Sequence, residues 1–187
     1  MIQPILSKRT GNRWMFAVEF EIHFDAVKAW PATWGSLWLW VEGRVVGKAD
    51  ESEMVMTGFD SLHEVAIETG TRANPLLWGA PLHDALDVVM WARYESDHEP
   101  ALARLISDPA SLFPFEVLPR WTGAFFDGWE AILLENNTSE RFIYRQESGS
   151  PIEATWPLGT FRQVVNEAKY DFEKAARTLV TGSESMS

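Results

Sequence analysis

Cysteine is absent from the 187-residue chain. That excludes disulfides, thiolate zinc sites and cysteine nucleophiles together, and it fits a reducing compartment. Long apolar runs are missing as well. Nothing approaches the roughly 20 apolar residues a membrane helix needs, and Met1 to Thr10 holds no sustained apolar core of a signal peptide. The expectation is a soluble, cytoplasmic protein. Positive charge is scarce: 16 Lys and Arg face 27 Asp and Glu, a net charge of −11. Such a charge repels nucleic acid and anionic membrane, so neither is expected as a partner, and it attracts basic proteins. The plainer reading is that it keeps an aromatic-rich chain in solution. No Gly-x-Ser-x-Gly elbow, phosphate-cradling loop or dinucleotide fingerprint occurs. Repeats and low-complexity linkers are also lacking. The length suits one domain, residues 1–187, with about 70% of its unfolded surface buried.

Tryptophan is what the chain has in excess, ten in all. Most belong in a core, but surplus Trp also serves binding surfaces. Three of them fall in Trp34-Gly35-Ser36-Leu37-Trp38-Leu39-Trp40-Val41. Apolar on both faces, Leu37 to Val41 within it reads as a central strand. Glu42-Gly43 breaks it and Arg44-Val45-Val46 resumes it, which reads as a tight hairpin with Gly43 at positive φ.

The cleanest strand is Arg13 to Phe24, where Trp14, Phe16, Val18, Phe20, Ile22 and Phe24 alternate with Arg13, Met15, Ala17, Glu19, Glu21 and His23. Period-two alternation predicts one buried face and one largely wet. Strands are also expected at 129–135 and 140–146, joined by Asn136-Asn137-Thr138-Ser139, a turn by composition. Trp121 to Phe126 reads as an edge strand, and Thr71 to Ala80 and Glu147 to Pro157 as loops. Ser61-x-x-Glu64 has capping-box spacing and predicts a helix start, with Gly70 as its stop. A second helix is expected from Pro81 to about Tyr94. A third follows the Ser96-x-x-Glu99 spacing and ends at Asp108-Pro109.

The strongest helix signal is the last. Phe161, Val164, Val165, Ala168, Phe172, Ala175, Ala176 and Leu179 recur at three- and four-residue steps after Thr160, an amphipathic rod suited to lie on a sheet. Residues 181–187 are polar and expected to be disordered. These elements predict an α+β fold. A single antiparallel sheet of strands 13–24, 36–48, 129–135 and 140–146 carries the long C-terminal helix, with two or three short helices inserted mid-chain.

Candidates for chemistry are few. Glu19, Glu21 and His23 alternate along one strand face, a spacing able to aim them at one metal or one proton-transfer site. That makes a small metal-dependent hydrolase or ligand-binding enzyme the alternative reading. Ordinary polar-face residues look the same. His83 and Asp87, one helical turn apart, offer half a metal site or a surface hydrogen bond. His63 has no such partner one turn on, only Ile67. Arg141 and Arg145 suit an anion or cross-strand carboxylates. Two acidic clusters are placed to meet a basic partner: Asp50, Glu51 and Glu53 after the hairpin, and Glu95, Asp97 and Glu99 around His98. Charge favouring a helix N-terminus explains the second equally well. Failing those clusters, an aromatic interface at Trp30 or Trp34 is the next candidate.

The order of these motifs resembles a known family. Phe16-Ala17-Val18-Glu19-Phe20-Glu21-Ile22, Trp34 to Gly47 and Ser61-Leu62-His63-Glu64-Val65 are similar to the N-terminal half of a bacterial immunity-protein family. Phe126 to Glu135, Arg141-Phe142-Ile143-Tyr144 and Leu158-Gly159-Thr160-Phe161 resemble its C-terminal half. The family is number forty-two among the immunity proteins of polymorphic toxin systems, which include contact-dependent growth inhibition. The resemblance covers most of the chain outside 1–12, about 71–114, and the tail. It implies a non-catalytic inhibitor with no cofactor, no metal and no catalytic residues. Such a protein binds a cognate toxin domain in the cytoplasm, often by covering a nuclease active site. Neither the toxin's identity nor the oligomeric state is written in the sequence.

Overall fold

The computed structural model describes residues 4–23, 33–68, 70–94, 99–118, 124–146 and 149–184. The fold is α+β. By its contacts the chain divides into two compact units. The first holds Met1–Ala66, Arg120–Asp127 and Phe161–Ser187, the second Ile67–Pro119 and Gly128–Thr160.

The first unit is built on an antiparallel sheet of five strands: β1 (Pro4–Asn12), β2 (Phe16–His23), β3 (Trp34–Val41), β4 (Arg44–Val46) and β5 (Glu53–Met54). Their order is β1-β2-β3-β4, with β5 also on β3. β1 thus stands at the edge of the sheet. The strand expected from Arg13 begins three residues later, because Arg13 to Met15 is a turn. Met15 N–H donates to the Asn12 carbonyl, and Trp14 N–H to the Asn12 side chain, the Asx geometry that competes with strand pairing. At the next hairpin Val41 pairs with Arg44. Glu42 and Gly43 have φ of 49° and 79°, the primed turn a two-residue loop requires.

Register decides the faces. Phe16, Val18 and Phe20 lie opposite Val41, Leu39 and Leu37, and all six are fully buried. Two helices meet this face, α1 (Val55–Ile67) and α4 (Thr160–Glu184). Phe161 stacks on Phe16 with centroids 5.2 Å apart, and Phe172 meets Phe20 edge-on at 5.4 Å and Phe59 at 5.2 Å. Phe161, Val165, Phe172 and Ala176 are all buried, as the periodicity predicts. The helix is recorded to Glu184, past residue 181 where a disordered tail was expected, and 185–187 lie outside the described residues. α1 begins at Val55, six residues before Ser61; the capping-box spacing there falls inside the helix and does not start it.

The second unit has its own antiparallel sheet, β6 (Trp129–Glu135), β7 (Ser139–Gln146) and β8 (Ile152–Pro157), in that order. This corrects the single sheet expected from the sequence. Among the described residues, strands 129–135 and 140–146 pair with each other, the second also with β8, and the first through a bridge from Glu116 to Ile132. β8 corrects a second expectation, since it falls in the stretch read as loop. A third is corrected by α2 (Pro75–Gly79), which lies in the other loop and is capped by the Asn74 side chain. α3 (Leu82–Tyr94) follows. Its Ala85, Leu86, Val88 and Val89 share one buried cluster with Ile132, Leu134 and Ile143. The third expected helix is a 3₁₀ turn at Ala101–Leu105, and the edge strand expected to end at Phe126 closes in a 3₁₀ turn at Ala124–Phe126; residues 121–123 lie outside the described ones.

Candidate functional site

On β2 the residues alternating with the core are Ala17, Glu19, Glu21 and His23. Cross-strand pairing sets Glu19 between Arg9 and Trp38, and Glu21 between Ser7 and Ser36. Glu19 is already occupied. Its Oε2 accepts from Trp40 Nε1 at 2.6 Å and from Arg9 Nη1 at 3.1 Å, and its Oε1 accepts from Ser7 Oγ at 3.4 Å. His23 Nδ1 lies 3.0 Å from Ser52 Oγ, and Nε2 lies 3.9 Å from Glu21 Oε2. Among the described residues no three acidic or histidine side chains converge as metal ligands. Glu19, Glu21 and His23 therefore share a face without sharing a site.

His83 and His63 each meet a polar neighbour. His83 Nδ1 stands 3.6 Å from Asp87 Oδ2, while Asp87 Oδ1 accepts from Arg145. His63 Nδ1 lies 2.9 Å from Asn166 Oδ1. His98 lies outside the described residues.

The arginines considered for an anion are used inside the second unit. Arg145 pairs with Glu130 directly across the strands at 2.6 Å and with Asp87 at 2.7 Å. Burial lowers its pKa, but Glu130 and Asp87 outweigh that and the net movement is upward. Arg141 donates to Glu153 and to the carbonyls of Trp78 and Ala80 at the end of α2. Arg93 and Tyr94 both donate to buried Glu116. Arg72 was hidden in a presumed loop, yet it is fully buried beside Glu135, with Nε donating to the Pro114 carbonyl. Burial pulls its pKa down, against the pull of Glu135 and Glu68. A cleft of about 520 Å³ opens nearby among Asn74, Trp78, Glu135, Asn137 and Thr138. None of Glu19, Glu21 and His23 lines it.

The first acidic cluster is held in place by its backbone. Lys48 N–H donates to the Phe125 carbonyl at 2.7 Å, Ser36 Oγ donates to the Glu51 carbonyl at 2.6 Å, and Ser52 meets His23. Glu53 then pairs with Gly35 and Met54 with Trp34. Asp50 is exposed, and Glu51 and Glu53 are half-buried. Lys48 Nζ reaches Glu51 only at 4.0 Å. In the second cluster Glu99 is exposed, while Glu95 and Asp97 lie outside the described residues, as does Trp30.

Sequence reasoning missed one feature beside the first cluster. Trp34 and Met54 are direct register partners, and both are open, at 47% and 39% of their full exposure. At the far end of the same face Trp14 is 67% exposed, sits on Gly43, and lies under the Arg13 guanidinium at 4.7 Å. No helix among the described residues is long and apolar enough to cross a membrane.

Comparison with known proteins bears on what such a surface is for. The chain is similar in fold to CdiI from Burkholderia dolosa AUO158, whose crystal structure superposes with a TM-score of 0.62 at 18% identity over 88% of this chain and 99% of that one. No curated protein matches the sequence. The sequence model of Immunity protein 42 matches residues 1–171, across both units, and the chain therefore belongs to the Immunity protein 42 family.

Proposed function

We propose that this protein binds a cognate bacterial toxin domain in the cytoplasm and neutralises it as a stoichiometric inhibitor, turning nothing over. The observation that carries the reading is family membership over 1–171. That match spans both compact units, which supports treating 1–187 as one immunity-protein domain. The likeness in fold to a CdiI is in keeping with a contact-dependent growth inhibition system.

The toxin we assign to it is a basic nuclease. A nuclease presents cationic groups to a phosphate backbone, and a net charge of −11 favours encounter with such a surface. Asp50, Glu51 and Glu53, with Glu95, Asp97 and Glu99 as the second cluster, are the carboxylates we assign to that contact. The hydrolase alternative, built on Glu19, Glu21 and His23, loses support from Glu19 being tied to Trp40 and Arg9.

Co-expression with the toxin domain encoded immediately upstream tests the reading. Growth is expected to be restored, and a complex is expected to co-purify. A toxin that stays lethal, with no complex formed, sinks it. If carboxylates make the contact, reversing a cluster to Lys slows association, and the effect shrinks as salt rises.

A further inference from the structure

Four of the large apolar side chains that the chain leaves open belong to one sheet face: Trp34, Val45 and Met54 on the strands, and Trp14 at the adjoining turn. It is the face opposite Leu37, Leu39 and Val41, which carry the core. The two ends of this face differ in charge. At one end Arg9 and Arg13 lie over Trp40 at 5.8 and 6.0 Å, and Arg13 also lies over Trp14. Those rings already hold cations. At the other end Trp34 and Met54 adjoin Asp50 and Glu51, the Glu51 carbonyl being held by Ser36 of this face, and among the described residues Asp50 has no ion-pair partner; Glu53, paired with Gly35, points to the opposite face.

We propose that the toxin domain docks at the Trp34 end of this face. Trp34 and Met54 form the apolar anchor, and Asp50 and Glu51 receive Lys or Arg side chains around it. The proposal rests on the toxin-neutralising reading and adds to it the place and chemistry of contact. Residues directly opposite in an antiparallel pair have Cβ atoms about 5 Å apart, so the indole and the thioether form one continuous patch. Trp and Met are enriched in interface cores, and Met adapts its shape to a partner. An indole face with an open side also accepts a cation.

Pre-organisation favours the same place. The acidic segment is pinned by Ser36 to Glu51, His23 to Ser52 and Lys48 to Phe125. Binding there needs little ordering of the chain, and ordering is a main cost of association. Charge also selects the occupant. A second copy of this chain would bring net −11 against the same carboxylates, and β5 spans only Glu53–Met54, too short to template a long ladder.

The test is binding kinetics with the purified, catalytically inactivated toxin domain encoded immediately upstream. Trp34→Ala is expected to speed dissociation by about 30-fold or more, as hot-spot aromatics do, and Trp34→Phe to recover part of it. Trp14→Ala, on a still more open ring at the cationic end, should stay within about 2-fold of wild type. Reversing Asp50 and Glu51 to Lys is expected to slow association about 10-fold or more at low salt and much less at high salt. Melting curves and the Met54→Ala variant guard against an unfolded Trp34→Ala protein. Wild-type-like binding by folded Trp34→Ala and Met54→Ala overturns the docking site alone. So does loss of binding in Trp14→Ala only, or a dimer of the free protein that Trp34→Ala dissolves. If the wild-type protein does not bind the toxin, the inhibitor reading falls as well.

Discussion

Arg72 Nη1 stands 3.6 Å from Glu135 Oε1, with both side chains shut away from solvent. Glu135 Oε2 also accepts the Gly70 N–H, and Arg72 Nε donates to the Pro114 carbonyl. The pair thus ties the segment after α1 to β6 and to the turn before Glu116. Breaking a buried pair from one side leaves a charge without its partner. Arg72→Met is therefore expected to cost about 3–5 kcal/mol, read by chemical denaturation. A double change that also replaces Glu135 by Leu should recover only part, since the Gly70 N–H loses its acceptor. A loss under about 1 kcal/mol for Arg72→Met contradicts the assignment.

Phe172 joins α4 to both β2 and α1. Its ring lies 5.4 Å from that of Phe20 and 5.2 Å from that of Phe59. Phe172→Ala is expected to cost about 3–5 kcal/mol from lost burial and the cavity left behind. Phe172→Leu should cost less. Equal stability of wild type and Phe172→Ala in urea would show that the helix is not docked there.

Gly35 and Gly79 make a contrasting pair. A Cβ at Gly35 overlaps the Glu21 carbonyl oxygen and crowds Val55, while one at Gly79 meets nothing. Gly79 also has no positive φ. Gly35→Ala must push β2 from β3 and is expected to cost about 3 kcal/mol or more. The same change at Gly79 is expected to be neutral or to stabilise by up to about 1 kcal/mol. Thermal melts of the two proteins side by side decide it, and a tolerated Gly35→Ala refutes the strand packing.

Which parts of this fold the sequence reveals follows from where the signal is local. Phe16 to Ile22 alternate, and Phe161 to Ala176 repeat at helical steps, so β2 and α4 are legible. The Glu42-Gly43 turn is legible because only a positive-φ pair fits a two-residue hairpin. Pairing between distant strands leaves no such mark. Nothing in Trp129–Glu135 says that it joins the sheet of β7 and β8 in preference to that of β3. β8 itself is short, and with Glu153 and Thr155 facing solvent it reads as loop. Arg72 sits among turn residues, and its burial depends on Glu135, 63 positions away. The acidic cluster is legible as charge, but its rigidity comes from bonds to Ser36, His23 and Phe125 that only tertiary structure supplies.

The proposed absence of catalysis has its own check. His23 lies 3.0 Å from the Ser52 hydroxyl and 3.9 Å from the Glu21 carboxylate. Glu21→Gln is expected to leave toxin protection within about 2-fold of wild type, whereas His23→Ala releases Ser52 beside the proposed contact and is expected to slow association without changing the one-to-one stoichiometry. Elemental analysis of the purified protein should find no metal at one equivalent. A stoichiometric metal in wild type that disappears from both variants, together with lost protection, restores the hydrolase reading.

The central claim is that protection comes from binding and not from turnover. Titrating the purified protein against a fixed amount of the upstream-encoded toxin domain, with toxin activity as the readout, tests it most directly. A tight stoichiometric inhibitor lowers activity in a straight line to a break near one equivalent, and the line does not change with incubation time. A protein that protects by catalysis abolishes activity at a small fraction of an equivalent and gains effect with time. Either that result, or no inhibition at any ratio, contradicts the account.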